Sequence, residues 1–178
     1  MVEKITAGAT SALDEIQLEG FSSDNLSSMV QEITSGATGA LDEIEMAGFD
    51  PSTDVFSMTE KVILGTTGAL SEIEMDGYDS DDLEGMIEGV TTGAMYAINE
   101  LQSAGLDQNN MSNMMKSISS SASKGLSRLE NSKLLDNASK LPGLLNTITS
   151  STLKATKEIK VQGFDPNDSA ILGSIIEE

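Results

Sequence analysis

A motif of about a dozen residues is repeated along this chain of 178 residues. Its copies read EIQLEGFSSDN, EIEMAGFDPSTD, EIEMDGYDSDD, ELQSAGLDQNN and EIKVQGFDPND. An apolar column accompanies it, with spacings of 28 to 30 positions, at Ile5, Ile33, Val62, Val90, Ile118 and Ile148. Fixed periods of this length are typical of repeat architectures, in which each unit buries its apolar face on its neighbours. The sequence therefore predicts a single array of six units, approximately residues 2–33, 34–62, 63–90, 91–118, 119–148 and 149–178.

The repeated motif predicts a sharp corner between two helices. In the second copy, Gly48 is suited to the left-handed position just past a helix, and Phe49 then contacts Ile44 as in a Schellman stop. Asp50 follows as a candidate N-cap, and Pro51 stands at the first helical position, where its missing N–H does no harm. The equivalent corner glycines are Gly20, Gly77, Gly105 and Gly163, and the fifth unit has Lys133 instead.

Between the corners, apolar residues recur at steps of three and four, which indicates helices. Aromatic residues make up only 3% of the chain, so the core must be built from Ile, Leu, Val, Met and Ala. The centre of each unit carries small residues four positions apart, beginning at Gly8, Gly36, Gly65, Gly93, Ser121 and Ser151. Small residues at this spacing allow two helix backbones to approach closely, so we expect a tight crossing there.

Two all-α architectures fit these patterns. In the preferred one, the chain breaks again at the Thr/Ser-Gly centre of each unit, and the six helical hairpins stack as an α-solenoid. In the alternative, each unit is one long helix, and the chain forms an up-and-down bundle of long antiparallel helices. Gly costs about 1 kcal/mol within a helix, which favours the break, whereas the uninterrupted periodicity favours the long helix. The fifth unit also carries Leu-Pro-Gly at 141–143, where Pro is expected to break or restart a helix.

Composition and motifs exclude several kinds of chemistry. The chain has no Cys and no His, which removes disulfides, thiolate metal sites and His-activated nucleophiles. The stretch 85–93, GMIEGVTTG, lacks the Lys of a phosphate-binding loop and lies inside a helical pattern. Paired carboxylates recur in several units, which is typical of a solvated face rather than of one active site. We therefore predict a protein that is not an enzyme and that needs no cofactor.

The acidic residues at the corners were considered as calcium ligands. The candidates are Asp50, Asp54, Asp79, Asp81, Asp165 and Asp168. An EF-hand loop needs a longer run, with Gly at its sixth place and Glu at its twelfth, and none of these stretches has that pattern. Helix capping explains the same residues with fewer assumptions, so the prediction is capping, with weak cation binding as the alternative.

Charge is distributed unevenly along the chain, whose net charge is −19. Residues 1–115 hold 22 acids and 2 bases, whereas residues 116–178 hold 7 acids and 8 bases. The acidic part repels nucleic acid, and no apolar run reaches the roughly 20 residues that span a bilayer, so neither partner is expected. The low Lys content, the abundant Ser, Thr, Asp and Gly, and the absence of Cys favour an extracytoplasmic or cell-surface bacterial segment over a cytoplasmic protein.

These observations lead to one function hypothesis and one alternative. The first is a non-enzymatic helical repeat module that serves as a structural spacer or protein-interaction scaffold, with self-association of copies end to end. The alternative is a carrier in which amphipathic helices open around an apolar ligand or lipid. The partner is thus expected to be a protein, another copy of the chain, or an apolar ligand.

Overall fold

The computed structural model describes residues 1–15, 23–43, 50–73, 80–99, 101, 108–129, 140–160, 164–168, 172–173 and 175. Across these ranges the secondary structure is helical and contains no strand, which confirms the predicted all-α class. The α-helices are α1 (Val2–Ser11), α2 (Ser23–Gly39), α3 (Pro51–Ala69), α4 (Ser80–Ala97), α5 (Gln108–Leu129) and α6 (Leu141–Thr156).

Each repeat forms one helix rather than a hairpin of two. The predicted second break is wrong, because α2 runs through Gly36, α3 through Gly65 and α4 through Gly93. The unit boundaries placed near residues 33, 62, 90, 118 and 148 consequently fall inside helices. The long-helix alternative therefore describes the individual units better than the hairpin does.

The threonines at the repeat centres explain why the helices continue. The Thr34 hydroxyl donates to the carbonyl of Val30 at 2.8 Å, and the Thr91 hydroxyl donates to the carbonyl of Ile87 at 2.9 Å. Each hydroxyl thus bonds four residues back along its own helix instead of capping a new one. These side chains are fully buried, and the backward bond supplies the partner that a buried hydroxyl requires.

The helices end where the repeated motif predicts a corner. After α1, α2 and α3 the chain tightens into 3-10 turns at Ala12–Glu15, Ala40–Glu43 and Leu70–Glu72. A new helix then begins at Ser23, Pro51 and Ser80, respectively. The corner glycines themselves, at 20, 48, 77, 105 and 163, lie outside the described residues, so their left-handed geometry stays a prediction.

Each helix packs mainly on the helix two places along the chain, not on its immediate neighbour. We call α1, α3 and α5 the odd set, and α2, α4 and α6 the even set. Within a set the helices run in the same direction, because Ser27 and Gln31 of α2 face Gly89 and Gly93 of α4 in that order. In an up-and-down bundle the main contacts would join consecutive antiparallel helices. The alternative architecture is therefore wrong about which helices pack together.

Glycine allows the paired helices to approach closely. A Cβ added at Gly89 would lie 2.6 Å from the carbonyl oxygen of Ser27, and one at Gly93 would overlap the carbonyl oxygen of Gln31. In the odd set, a Cβ at Gly65 would overlap the carbonyl oxygen of Glu3. Real Cβ atoms do not come this close to a backbone oxygen, so the predicted close approach is confirmed at Gly65 and Gly93, whereas Gly8 and Gly36 have no neighbouring atom within 4 Å of an added Cβ.

The paired helices are also displaced along their axes. Where a hydrogen bond joins a helix, or the turn after it, to the next helix of its set, the two residues lie 61 to 64 positions apart, whereas two repeats span 56 to 58. Each helix is therefore shifted by about four residues relative to its partner, which corresponds to roughly one turn, or about 6 Å.

The apolar columns form the core. Val62, Val90, Ile118 and Ile148 are at most 1% exposed, whereas Ile5, the first member of the same column, is 62% exposed. The second column is buried wherever it is described, at Ile73, Leu101, Leu129 and Ile159. Five methionines of the described residues are fully buried with it: Met86, Met95, Met111, Met114 and Met115. The methionines thus serve the core.

The Leu-Pro-Gly stretch of the fifth unit starts a helix. Helix α6 begins at Leu141, so Pro142 stands in the first turn, where its missing N–H breaks no helical hydrogen bond. This confirms that Pro restarts the helix at this point.

The glycine contacts generate a paired prediction about stability. Gly93 and Gly36 occupy the same position of the repeat, but no atom lies within 4 Å of a Cβ added at Gly36. We expect Gly93→Ala to lower the free energy of unfolding by about 1–3 kcal/mol through overpacking. Gly36→Ala should raise it by roughly 0.5–1 kcal/mol, because Ala is the better helix former.

Urea unfolding monitored by circular dichroism measures both variants against the wild type. If the two substitutions change the midpoint in the same direction, the close approach of α4 to α2 is not what Gly93 provides.

Candidate functional site

An open groove of about 330 Å³ lies where α2, α4 and α6 meet. Its lining is largely polar, and it includes Ser28 and Gln31 of α2, Glu88 and Tyr96 of α4, and Lys154 of α6. Hydroxyl, amide, carboxylate and ammonium groups thus face one concave surface. Such a surface is suited to hydrogen bonding with a polar ligand or with the side chains of a protein partner.

Glycine on α4 gives the groove its shape. Gly85 and Gly89 line it and present no side chain toward α2. A Cβ added at Gly85 would lie 2.8 Å from the Ser27 hydroxyl oxygen, so the hydroxyl takes the space that any other residue would fill. The close packing of α2 on α4 and the groove therefore have the same cause.

An ion pair crosses the groove between α6 and α4. The Lys154 ammonium lies 3.5 Å from a carboxylate oxygen of Glu88. The two side chains are 69% and 47% exposed, so water screens their attraction. Pairs of this kind contribute about 0–1 kcal/mol, which leaves both groups available to a ligand at little cost.

Tyr96 is held in its neutral form. A side-chain hydrogen bond to Glu158 raises the pKa of Tyr96 above its usual 10.0, and burial and the negative charges of Glu158 and Glu88 act in the same direction. The phenol therefore stays protonated throughout the physiological pH range, and its single O–H donates to the Glu158 carboxylate.

The sequence did not point to this groove. Gly93 belongs to the column of small residues, but Gly85 and Gly89 were considered only as part of a possible phosphate-binding loop, although glycines four positions apart lie on one side of a helix. The position of Lys154 could not be predicted, because it depends on the packing of α6 against α4.

Two of the described calcium candidates accept short-range hydrogen bonds from the backbone. The Asn167 backbone N–H donates to a carboxylate oxygen of Asp165 at 2.9 Å, which closes a turn. At the start of α3, the Asp50 backbone N–H donates to the carboxylate of Asp54 at 2.8 Å, in the manner of a capping box.

The other candidates do not converge with these. Asp81 lies in the first turn of α4, 3.6 Å from the Lys140 ammonium, and Asp168 accepts the Leu172 N–H at its backbone carbonyl. Asp79 lies outside the described residues. Within the described part of the chain, no group of three or more acidic side chains is placed to hold a metal ion.

The bases of the C-terminal part pair with acids of the N-terminal part. Among the described residues, four ion pairs join different helices or the residue just before one: Lys124–Glu60, Arg128–Glu3, Lys140–Asp81 and Lys154–Glu88. In the odd set, the Arg128 guanidinium contacts a Glu3 carboxylate oxygen at 2.7 Å and donates to the Leu64 carbonyl at 3.2 Å. One side chain of α5 thereby contacts both α1 and α3, so the uneven charge is used within the chain.

No protein-family model matches the chain, and no curated protein is significantly similar to it in sequence. None of the helices as described combines the length and the hydropathy of a bilayer-spanning segment.

The environment of Tyr96 predicts a measurable titration. In a Tyr78→Phe variant Tyr96 is the single tyrosine, and we expect its phenolate absorbance to appear at a pH above 10, because its pKa is raised. The raised pKa also stabilises the fold fully below pH 10, and this contribution is lost as the pH rises through the raised value.

Glu158→Gln in the same background should lower the pKa of Tyr96 toward 10, because the negative charge is removed. Glu60→Gln on α3 is the matched control and should leave the titration unchanged. An unchanged titration in Glu158→Gln would contradict the assigned hydrogen bond.

Proposed function

We propose that this chain is a non-enzymatic helical repeat module that acts as a protein-interaction scaffold. The main support for the proposal is one kind of helix contact that occurs in both sets. In this contact a small residue packs against the backbone of the helix two places earlier in the chain. A contact of this kind builds a layered array, because each helix needs only its neighbours within the set. Arrays of this type function through the surfaces that their layers present.

The surface area favours a scaffold over an extended spacer. The chain exposes 8976 Å², and a folded monomer of this mass is expected to expose roughly 8300 Å². One copy is therefore about as compact as an ordinary globular domain. An elongated spacer would require several copies, or several arrays, in a row.

The carrier alternative has less support. The groove at α2, α4 and α6 is lined mainly by polar groups, which do not suit an apolar ligand. The large apolar side chains of α3, α4 and α5 are closed into a continuous core, so a ligand would have to displace helices to reach them.

Native mass spectrometry distinguishes the scaffold from the carrier. The scaffold hypothesis predicts the bare mass of the purified chain and no lipid after denaturing extraction. An apolar ligand recovered at close to one molecule per chain would contradict the scaffold proposal and support the carrier.

The layered arrangement also predicts a gradient of stability. Helices α3 and α4 have a partner on both sides within their sets, whereas the other described helices have a partner on one side, and α1 and α6 are in addition the first and the last of them. We expect hydrogen exchange to be slowest in α3 and α4 and fastest in α1 and α6, because arrays open from their ends.

The measurement is hydrogen exchange by mass spectrometry, at low protein concentration and high salt. Equal protection in all six helices would indicate one cooperative globule and would contradict the array.

A further inference from the structure

Helix α2 presents an outer face that resembles a buried face of α4. Gly36 corresponds to Gly93 in the repeat, yet a Cβ at Gly36 would have no neighbour within 4 Å, whereas one at Gly93 would overlap the backbone of α2. In the odd set, Gly8 is likewise open, and Ile5 is 62% exposed in a column that is buried in α3 to α6. The beginning of the array therefore displays the contact surface that α3 and α4 bury within the chain.

Helix α6 presents the complementary face at the other end. Leu145 is 44% exposed, whereas Val30 of α2 and Ile87 of α4, which occupy the same repeat position in the even set, are fully buried. Both α2 and α4 are followed by another helix of the set, and within the described residues α6 is not. Leu145 is thus exposed where the next helix of the even set would pack.

We propose that a second copy of this chain docks the outer face of its α2, centred on Gly36, against the outer face of α6, centred on Leu145. The proposal rests on the scaffold function and specifies its partner. The template is the packing of α4 on α2: Gly36 takes the place of Gly93, and Asn146 and Ser150 of α6 take the places of Gln31 and Ser35. Both of these α6 residues are exposed and short enough for a close approach.

The charges of the two ends are complementary. Helix α6, which carries one docking face, has one base (Lys154, which also pairs with Glu88) and no acid. Helix α2, which carries the other, has two acids (Asp24 and Glu32) and no base. Attraction between such ends strengthens docking at low ionic strength and is screened as salt is added.

The two faces belong to different ends of the chain, so the contact is head to tail. A contact of this type does not close on itself as a twofold dimer does, and it extends into a linear stack. Each added copy again exposes one outer face of α2 and one outer face of α6.

Light scattering coupled to size-exclusion chromatography, over a wide range of concentrations at low salt, tests the stacking. We expect the average mass to rise with concentration beyond that of a dimer and to fall when salt is added. A constant monomer mass, or a plateau at twice the chain mass, would overturn head-to-tail docking.

Two variants each block one end. Gly36→Ala adds a methyl group where the backbone of the docked helix must approach closely. It leaves the monomer intact, because no atom of the same chain lies within 4 Å of the added Cβ. Leu145→Asp removes the exposed apolar group of α6 and places an acid opposite the acidic end. Each variant alone should weaken association by about tenfold or more, Gly36→Ala through an overpacked contact and Leu145→Asp through lost apolar burial and a desolvated charge.

Mixing the two variants gives the sharpest test. The Gly36→Ala chain retains an intact α6 face, and the Leu145→Asp chain retains an intact α2 face, so together they can form one contact. An equimolar mixture should yield a one-to-one dimer and no larger species. If either variant stacks like the wild type, or if the mixture stays monomeric, the assigned faces are wrong.

Gly68→Ala on α3 is the matched control. A Cβ there would make only ordinary contacts, at 3.5 Å, with Arg128 inside the array, so stacking should be unchanged. Unfolding midpoints of all variants show whether the monomer is intact. If the chain stays monomeric but keeps the predicted gradient of hydrogen exchange, only the docking proposal is overturned. If an apolar ligand is recovered from the purified chain, the scaffold function itself is overturned.

Discussion

The fold depends on the contact of glycine with the backbone of the helix two places earlier. Gly65 against Glu3, and Gly89 and Gly93 against Ser27 and Gln31, bring helix axes closer than side chains would permit. Close approach increases the number of dispersion contacts per unit area. This compensates for a core that has few aromatic residues and is built from medium-sized aliphatic side chains and methionine.

The buried hydroxyls follow from the same contact. Close backbones leave room only for small side chains, and Thr and Ser are small but polar. Along α1, Thr6 and Thr10 meet this demand within their own helix, by donating to the carbonyls of Val2 and Thr6. A hydroxyl that donates to a carbonyl of its own helix needs no hydrogen-bond partner on the neighbouring helix. The residue that it faces on that helix can therefore also be small. This explains how a Thr-rich, Gly-rich sequence forms continuous helices.

The sequence was sufficient for the helical class and for the close approach at Gly65 and Gly93, because both follow from local spacing. It was insufficient for the number of helices per unit. The Thr-Ser-Gly centre at 34–36 offers a helix cap and a helix breaker, and only the burial of Thr34 decides that its hydroxyl bonds backward. The groove could not be predicted from the sequence either, because Lys154 and Glu88 are brought together by packing between helices two repeats apart. At Asp165 a turn stands in place of the predicted cap, because its carboxylate accepts the Asn167 N–H and no described helix begins there.

The shift between paired helices has a consequence for any molecule that lies across a set. Since each shift is about one turn in the same sense, α5 is offset from α1 by roughly two turns, or about 11 Å. The helix ends of the odd set therefore form a staircase rather than a level edge. A straight, rigid partner that lies across these helix ends would contact only one of them, whereas a slanted or flexible partner could contact all three.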